Sequence, residues 1–86
     1  MKCEFKEKTV GTGGNMVDIS KGIRSVADCI LSCNAKGGNG VSVLDNGVSD
    51  KCHCRFDQGG QVADLNWRNC KLEKGDSISF QLTSGK

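Results

Sequence analysis

At 86 residues the chain has room for one domain, residues 1–86, and at that size folding buries only about 60% of the surface that the unfolded chain exposes. Apolar residues make up 36% of it, with three Phe, one Trp and no Tyr, a thin core against an ordering cost of about 1–2 kcal/mol per residue. Lys and Arg total 12 and Asp and Glu 10, interspersed, so bulk charge argues for neither nucleic acid nor membrane surfaces, and no run of roughly 18 apolar residues is present to insert into a bilayer.

The chain opens with Met1-Lys2-Cys3 and no apolar leader, so Met1 reads as an added initiator and a natural leader as removed. Lys2 to Lys8 places Cys3 and Phe5 on one face and Lys2, Glu4, Lys6 and Lys8 on the other, the alternation of a strand. Gly11 to Asn15 reads as a flexible connection; no Lys-Ser/Thr follows Gly11-Thr-Gly-Gly14, so it is not a phosphate loop. Met16 to Ile19 reads as a short strand.

Ser25 to Lys36 predicts the one helix, because Val26, Cys29, Ile30 and Cys33 fall at i, i+3, i+4 and i+7. Ser25 followed by Asp28 resembles a capping box, and Gly37-Gly38 supplies the stop. Val41 to Leu44 and Ser49 to Phe56 flank Asn46-Gly47 and read as antiparallel neighbours. Asp45, Asn46 and Asp50 read as a solvated turn, since their spacing does not match an EF-hand calcium loop. Ser77 to Leu82 is expected as a final strand with Ile78, Phe80 and Leu82 inward. No Asn-x-Ser/Thr glycosylation site occurs.

Six cysteines, Cys3, Cys29, Cys33, Cys52, Cys54 and Cys70, span the chain, an even number that reads as a disulfide framework and so as a secreted, extracellular protein. The helix presents Cys29 and Cys33, and a strand presents Cys52 and Cys54, both pairs spaced roughly 6–7 Å along their element. Two side-by-side bridges can therefore pin helix to strand, leaving Cys3 and Cys70 for each other. Zinc is disfavoured: there is no Cys-x-x-Cys, and His53 points away from its cysteine neighbours on a regular strand. No cofactor is expected. One His and no free thiol make a poor nucleophile–base set, and the chain reads as a non-enzyme.

The stretches Ser25-Val-Ala-Asp-Cys-Ile-Leu-Ser-Cys33, Lys51-Cys-His-Cys-Arg-Phe56 and Asn66-Trp-Arg-Asn-Cys70 resemble the PAN/apple domains in order and approximate spacing. The resemblance covers Cys3 to about Leu72. It implies a small disulfide-rich α+β domain, an antiparallel sheet packed on one α-helix with its core in residues 3–72 and a final strand at 77–82. It also implies nested bridges, Cys3–Cys70, Cys29–Cys54 and Cys33–Cys52, and a role as an adhesion or recognition module for an extracellular protein or carbohydrate. A helix Cys-x-x-x-Cys joined to a strand Cys-x-Cys is also the signature of cysteine-stabilised αβ toxins and defensins, whose bridges run in parallel order. That makes a stand-alone secreted effector, such as a toxin, defensin-like peptide or protease inhibitor, the alternative.

For the ligand surface, alternation turns Lys51, His53 and Arg55 outward when Cys52, Cys54 and Phe56 face inward. This basic stripe, joined by Arg68 and Lys71 where the Cys70 segment folds nearby, suits an acidic glycan or acidic protein patch. The reading set against it, and the stronger of the two, is an ordinary strand face kept polar against edge pairing. Trp67 has two readings, an exposed platform for a sugar or a protein, or burial against the helix.

Overall fold

The computed structural model describes residues 1–44 and 51–73, so the expected final strand 77–82 and the turn at 45–50 lie outside the described residues. Within them the elements run β1 (Lys6–Thr12), β2 (Asn15–Asp18), α1 (Val26–Ala35), β3 (Gly40–Leu44), β4 (Cys52–Phe56) and β5 (Gly60–Lys71). The strands form one antiparallel sheet in the order β1-β5-β3-β4-β2 with α1 packed on it, a small α+β arrangement. β1 and β2 hold opposite edges, yet only Gly13 and Gly14 separate them. Four strand spacings in a flat sheet span about 19 Å, more than two residues can bridge, so the sheet curls until its edges meet at this corner. Both glycines have positive φ, 87° and 62°, and a side chain on Gly14 would run into the Phe56 carbonyl.

The first strand differs from its expected span. Cys3 is drawn to Cys70, and Lys2 pairs with Glu73 as an isolated bridge through backbone bonds of 2.8 and 2.9 Å. Pairing with β5 begins at Lys6 and reaches Thr12, taking in Gly11, where a side chain would run into that of Gln58. Near Lys8, φ 57°, the register with β5 shifts: Glu7 faces Arg68 but Thr9 faces Ala63. Four residues of β5, Asp64 to Trp67, thus bulge opposite one of β1.

The helix is capped as its sequence indicates. Ser25 is extended and its hydroxyl accepts from the Asp28 N–H at 3.1 Å, while Asp28 Oδ2 accepts from the Arg24 N–H at 3.4 Å, one residue outside the usual box. At the other end Gly38 N–H donates to Cys33 O and Gly37 N–H to Asn34 O, both at 3.0 Å, with Gly37 at φ 91°. This is a Schellman reversal, and it sends the chain straight back into β3. Gly38 must be small: a side chain there would strike the sulfurs of Cys33 and Cys54.

All six cysteines are bridged, as Cys3–Cys70, Cys29–Cys52 and Cys33–Cys54. The nested pairing Cys29–Cys54 and Cys33–Cys52 is therefore corrected to the parallel order. The cause is direction. α1 reverses into β3, and β3 is antiparallel to β4, so α1 and β4 run the same way and their first cysteines meet, as do their second. The bridges join Cα atoms 5.8 and 5.3 Å apart. They complete a core of Cys29, Cys33, Val41, Val43, Cys52, Cys54 and Cys70, all fully buried, with Leu72 beside them.

The opposite, helix-free side has a second and polar core. Asn69 is fully buried; its amide donates to Ser42 Oγ at 2.7 Å and Gln58 Oε1 at 3.1 Å, and its oxygen accepts from Gln58 Nε2 at 2.8 Å and Gln61 Nε2 at 2.9 Å. Asn39 grips the Gln58 backbone, accepting from its N–H at 2.7 Å and donating to its carbonyl at 3.2 Å. Gly11 and Gly40 leave the space that Gln58 fills.

Candidate functional site

Register decides which of the expected site residues meet. β3 aligns Ser42 with His53 on one side and Asn69 on the other, and Leu44 with Trp67, so His53 and Trp67 share the helix-free face. Their rings touch, with centroids 4.5 Å apart and planes tilted by 31°. Trp67 is thus half-buried against His53, not against the helix. Arg68, the next residue on the strand, points to the other face, where its guanidinium lies 5.0 Å from the centre of the Phe5 ring and its Nε is buried with no partner among the described residues. It does not join the stripe.

The stripe itself holds three different side chains. Lys51 is exposed. Arg55 is half-buried and donates from Nη1 to the Gly13 carbonyl at 2.9 Å, tying β4 to the corner between β1 and β2. His53 is largely covered, with a side chain 21% exposed, and its Nε2 lies 3.6 Å from Asp18 Oδ2 on β2. Burial pushes the imidazole below its ordinary pKa; Asp18 pulls it up, but Lys51 and Arg55 add to the lowering.

Asp18 is held below the ordinary carboxylate range chiefly by Ser20, whose hydroxyl and N–H both donate to Oδ1, the latter at 2.9 Å, and further by His53 and Lys51. Ser20 in turn accepts from the Cys52 N–H at 2.8 Å, which fixes the Asp18 turn to the start of β4. The arrangement is an aromatic pair with a charged carboxylate on one flank and cations beside it, a surface suited to stacking and hydrogen bonding. A uniform row of three positive charges is not what forms here.

Asp18, Ser20 and Met16 were not foreseen as part of this surface. The signal was present in Met16 to Ile19, whose alternation puts Met16 and Asp18 on one face, but its pairing with β4 cannot be read without the register. A separate shallow cleft of about 130 Å³, lined by Lys2, Glu4, Gln61, Lys71 and Glu73, lies at the Cys3–Cys70 end and contains, of the residues expected at the stripe, Lys71 alone. No helix among the described residues is long and apolar enough to cross a membrane. Comparison of the chain with family models, with curated proteins and with solved structures finds no match.

Proposed function

We propose that the chain is a secreted, non-enzymatic recognition module that binds an extracellular protein or glycan through its helix-free face. The observation that carries this reading is the His53–Trp67 pair with the Asp18 carboxylate at its edge, an amphipathic aromatic surface on a rigid sheet. Three disulfides in so small a domain support an extracellular setting. The helix over an antiparallel sheet and the first-to-last bridge are PAN/apple-like, and adhesion is the role that likeness suggests. A glycan array and a pull-down from extracellular extract, run with the native chain and with Trp67→Ala, test it. Capture by the native chain and its loss in a folded Trp67→Ala variant are expected; equal capture by both overturns the site.

A second reading has its own support. The parallel order Cys29–Cys52 and Cys33–Cys54 is that of cysteine-stabilised αβ toxins and defensins, which favours a stand-alone effector. An effector inhibits a channel, protease or membrane by itself at low concentration, whereas a module binds and inhibits nothing alone. Inhibition assays on the isolated chain separate the two.

A further inference from the structure

An asparagine followed by glycine is the dipeptide most prone to lose its side-chain amide, because glycine puts no side chain between its own backbone nitrogen and the asparagine Cγ. Of the six asparagines two precede glycine, Asn39 and Asn46, and Asn39 falls within the described residues. It is bonded at every polar group. Its N–H donates to the Arg55 carbonyl at 2.9 Å and its carbonyl accepts from the Leu72 N–H at 2.7 Å. Its side-chain amide accepts from the Gln58 N–H at 2.7 Å and donates to the Gln58 carbonyl at 3.2 Å.

Loss of the amide begins with closure of a five-membered ring, for which Asn39 Cγ must lie against the Gly40 nitrogen. That movement breaks both side-chain bonds to Gln58 and turns the peptide out of the antiparallel pairing that Gly40 makes with Arg55 and Lys71. Gly40 is buried, and the Gln58 side chain fills the space beside its Cα, so the segment has no slack on this side. On the other side Gly38 lies so close to the sulfurs of Cys33 and Cys54 that a side chain there would strike both. The Cys33–Cys54 bridge thus clamps the residue before Asn39, as Gln58 clamps Asn39 itself.

We propose that Asn39 is a latent deamidation site, closed by the native fold and released when the Cys33–Cys54 bridge is opened. On release the Gly40 nitrogen attacks Asn39 Cγ. The new N–Cγ bond replaces the bond to Nδ2, which leaves as ammonia with the proton from Gly40. Water then adds to one of the two ring carbonyls and opens the ring to Asp or to isoaspartate. No electrons are transferred in these steps. The opening of the bridge is a two-electron reduction, for which a dithiol supplies both electrons and both protons and ends as its own disulfide.

The product does not resume the bonds of Asn39. A carboxylate at this position still accepts from the Gln58 N–H, but it has no donor for the Gln58 carbonyl and turns negative charge toward it. Isoaspartate lengthens the main chain by one carbon at the entry to β3, between two glycines that are both held without spare room. A transient opening of the bridge is thereby fixed as a permanent loss of the native state.

The full chain is incubated at mildly alkaline pH in three forms: native, reduced with dithiothreitol and alkylated, and Cys33→Ser combined with Cys54→Ser. Digestion at acidic pH, where ring closure is slow, followed by fragment mass spectrometry reads the conversion of Asn39 apart from that of Asn46. Asn39 should convert at least tenfold faster in the alkylated chain than in the native one, and at least tenfold faster in the double variant as well. Equal rates in the native and alkylated chains overturn closure by the fold, and a native rate in the double variant overturns the link to the bridge. Asn39→Asp, refolded oxidatively from the reduced state, should recover less than half of the native bridge set that the unchanged chain recovers. Recovery equal to that of the unchanged chain overturns the irreversibility.

Discussion

Replacing Asn69 by Ala tests whether the polar core on the helix-free side stabilises the fold. The change removes the partner of both amide atoms of Gln58, which is only 3% exposed, and the donor to the Ser42 hydroxyl, 7% exposed. A buried polar group left without a partner costs about 1–3 kcal/mol. Taking the lower figure for each of three groups gives a loss of about 3 kcal/mol, a large share of the roughly 5–10 kcal/mol expected for a domain of this size. Urea unfolding with all bridges intact measures it; for a slope of about 1–2 kcal/mol per molar, the midpoint should fall by roughly 2 M. Because Gln58 and Asn69 satisfy each other, the double variant Gln58→Ala/Asn69→Ala should cost at least about 1 kcal/mol less than the two single changes added together. A midpoint shift below about 0.5 M, or strictly additive costs, would show that water replaces the lost partners and that the network contributes little.

Two further results are expected. Partial reduction and differential alkylation should recover Cys29 with Cys52 and Cys33 with Cys54; opening the latter by paired Ser substitution should cost about 3 kcal/mol for its 21-residue separation, and opening Cys3–Cys70, separated by 67, about 4 kcal/mol. The imidazole of His53 should titrate below its ordinary value of 6.5 by nuclear magnetic resonance, and Asp18→Asn should lower it further, since Asp18 is the neighbour that raises it. The sign for stability follows from the native state favouring neutral His53. Its contribution is complete above 6.5 and declines as pH falls from there toward the folded pKa, because the unfolded chain takes up the proton first. Asp18 acts in the same direction at lower pH, its contribution present above the ordinary value of 3.8 and lost as pH falls through its folded pKa. An unshifted His53 titration would refute its burial against Trp67.

What could be read from sequence follows the range of the interactions involved. The helix was legible because its apolar period, its Ser25 cap and its Gly37-Gly38 stop are local, and the β3–β4 pairing because its two strands are near in sequence. β5, the longest strand, was not recognised as one. Its stretch from Gly60 to Leu65 contains few β-branched or aromatic residues, and its bulge at Asp64 to Trp67 breaks the period-two pattern that announces a strand. The misplacement of Arg68 followed from that. Once residues 66–70 are a strand, Arg68 shares the face of Cys70, and Trp67, three residues before it, must take the other. Of the five expected site residues, His53 and Trp67 come into contact, Arg55 and Lys51 flank them, and Arg68 is separated by the thickness of the sheet.

The bridge order teaches a different lesson, because every element needed for it was already visible. A helix that ends in a Gly-Gly reversal must hand the chain to a strand running back along it, and a hairpin must hand that strand to one running forward again. Two reversals restore the original direction. A helix Cys-x-x-x-Cys followed by such a pair of strands therefore lays its first cysteine beside the first of the Cys-x-Cys, and the nested order would require one reversal fewer or a crossover connection between them. In this chain neither is present: Gly38 N–H closes on Cys33 O at the first turn, and Gly40 to Val43 pair antiparallel with Arg55 to Cys52 after the second. Family likeness suggested one connectivity and chain direction dictates the other, and direction prevails because sulfurs only join where the backbone has already brought the cysteines to within about 6 Å.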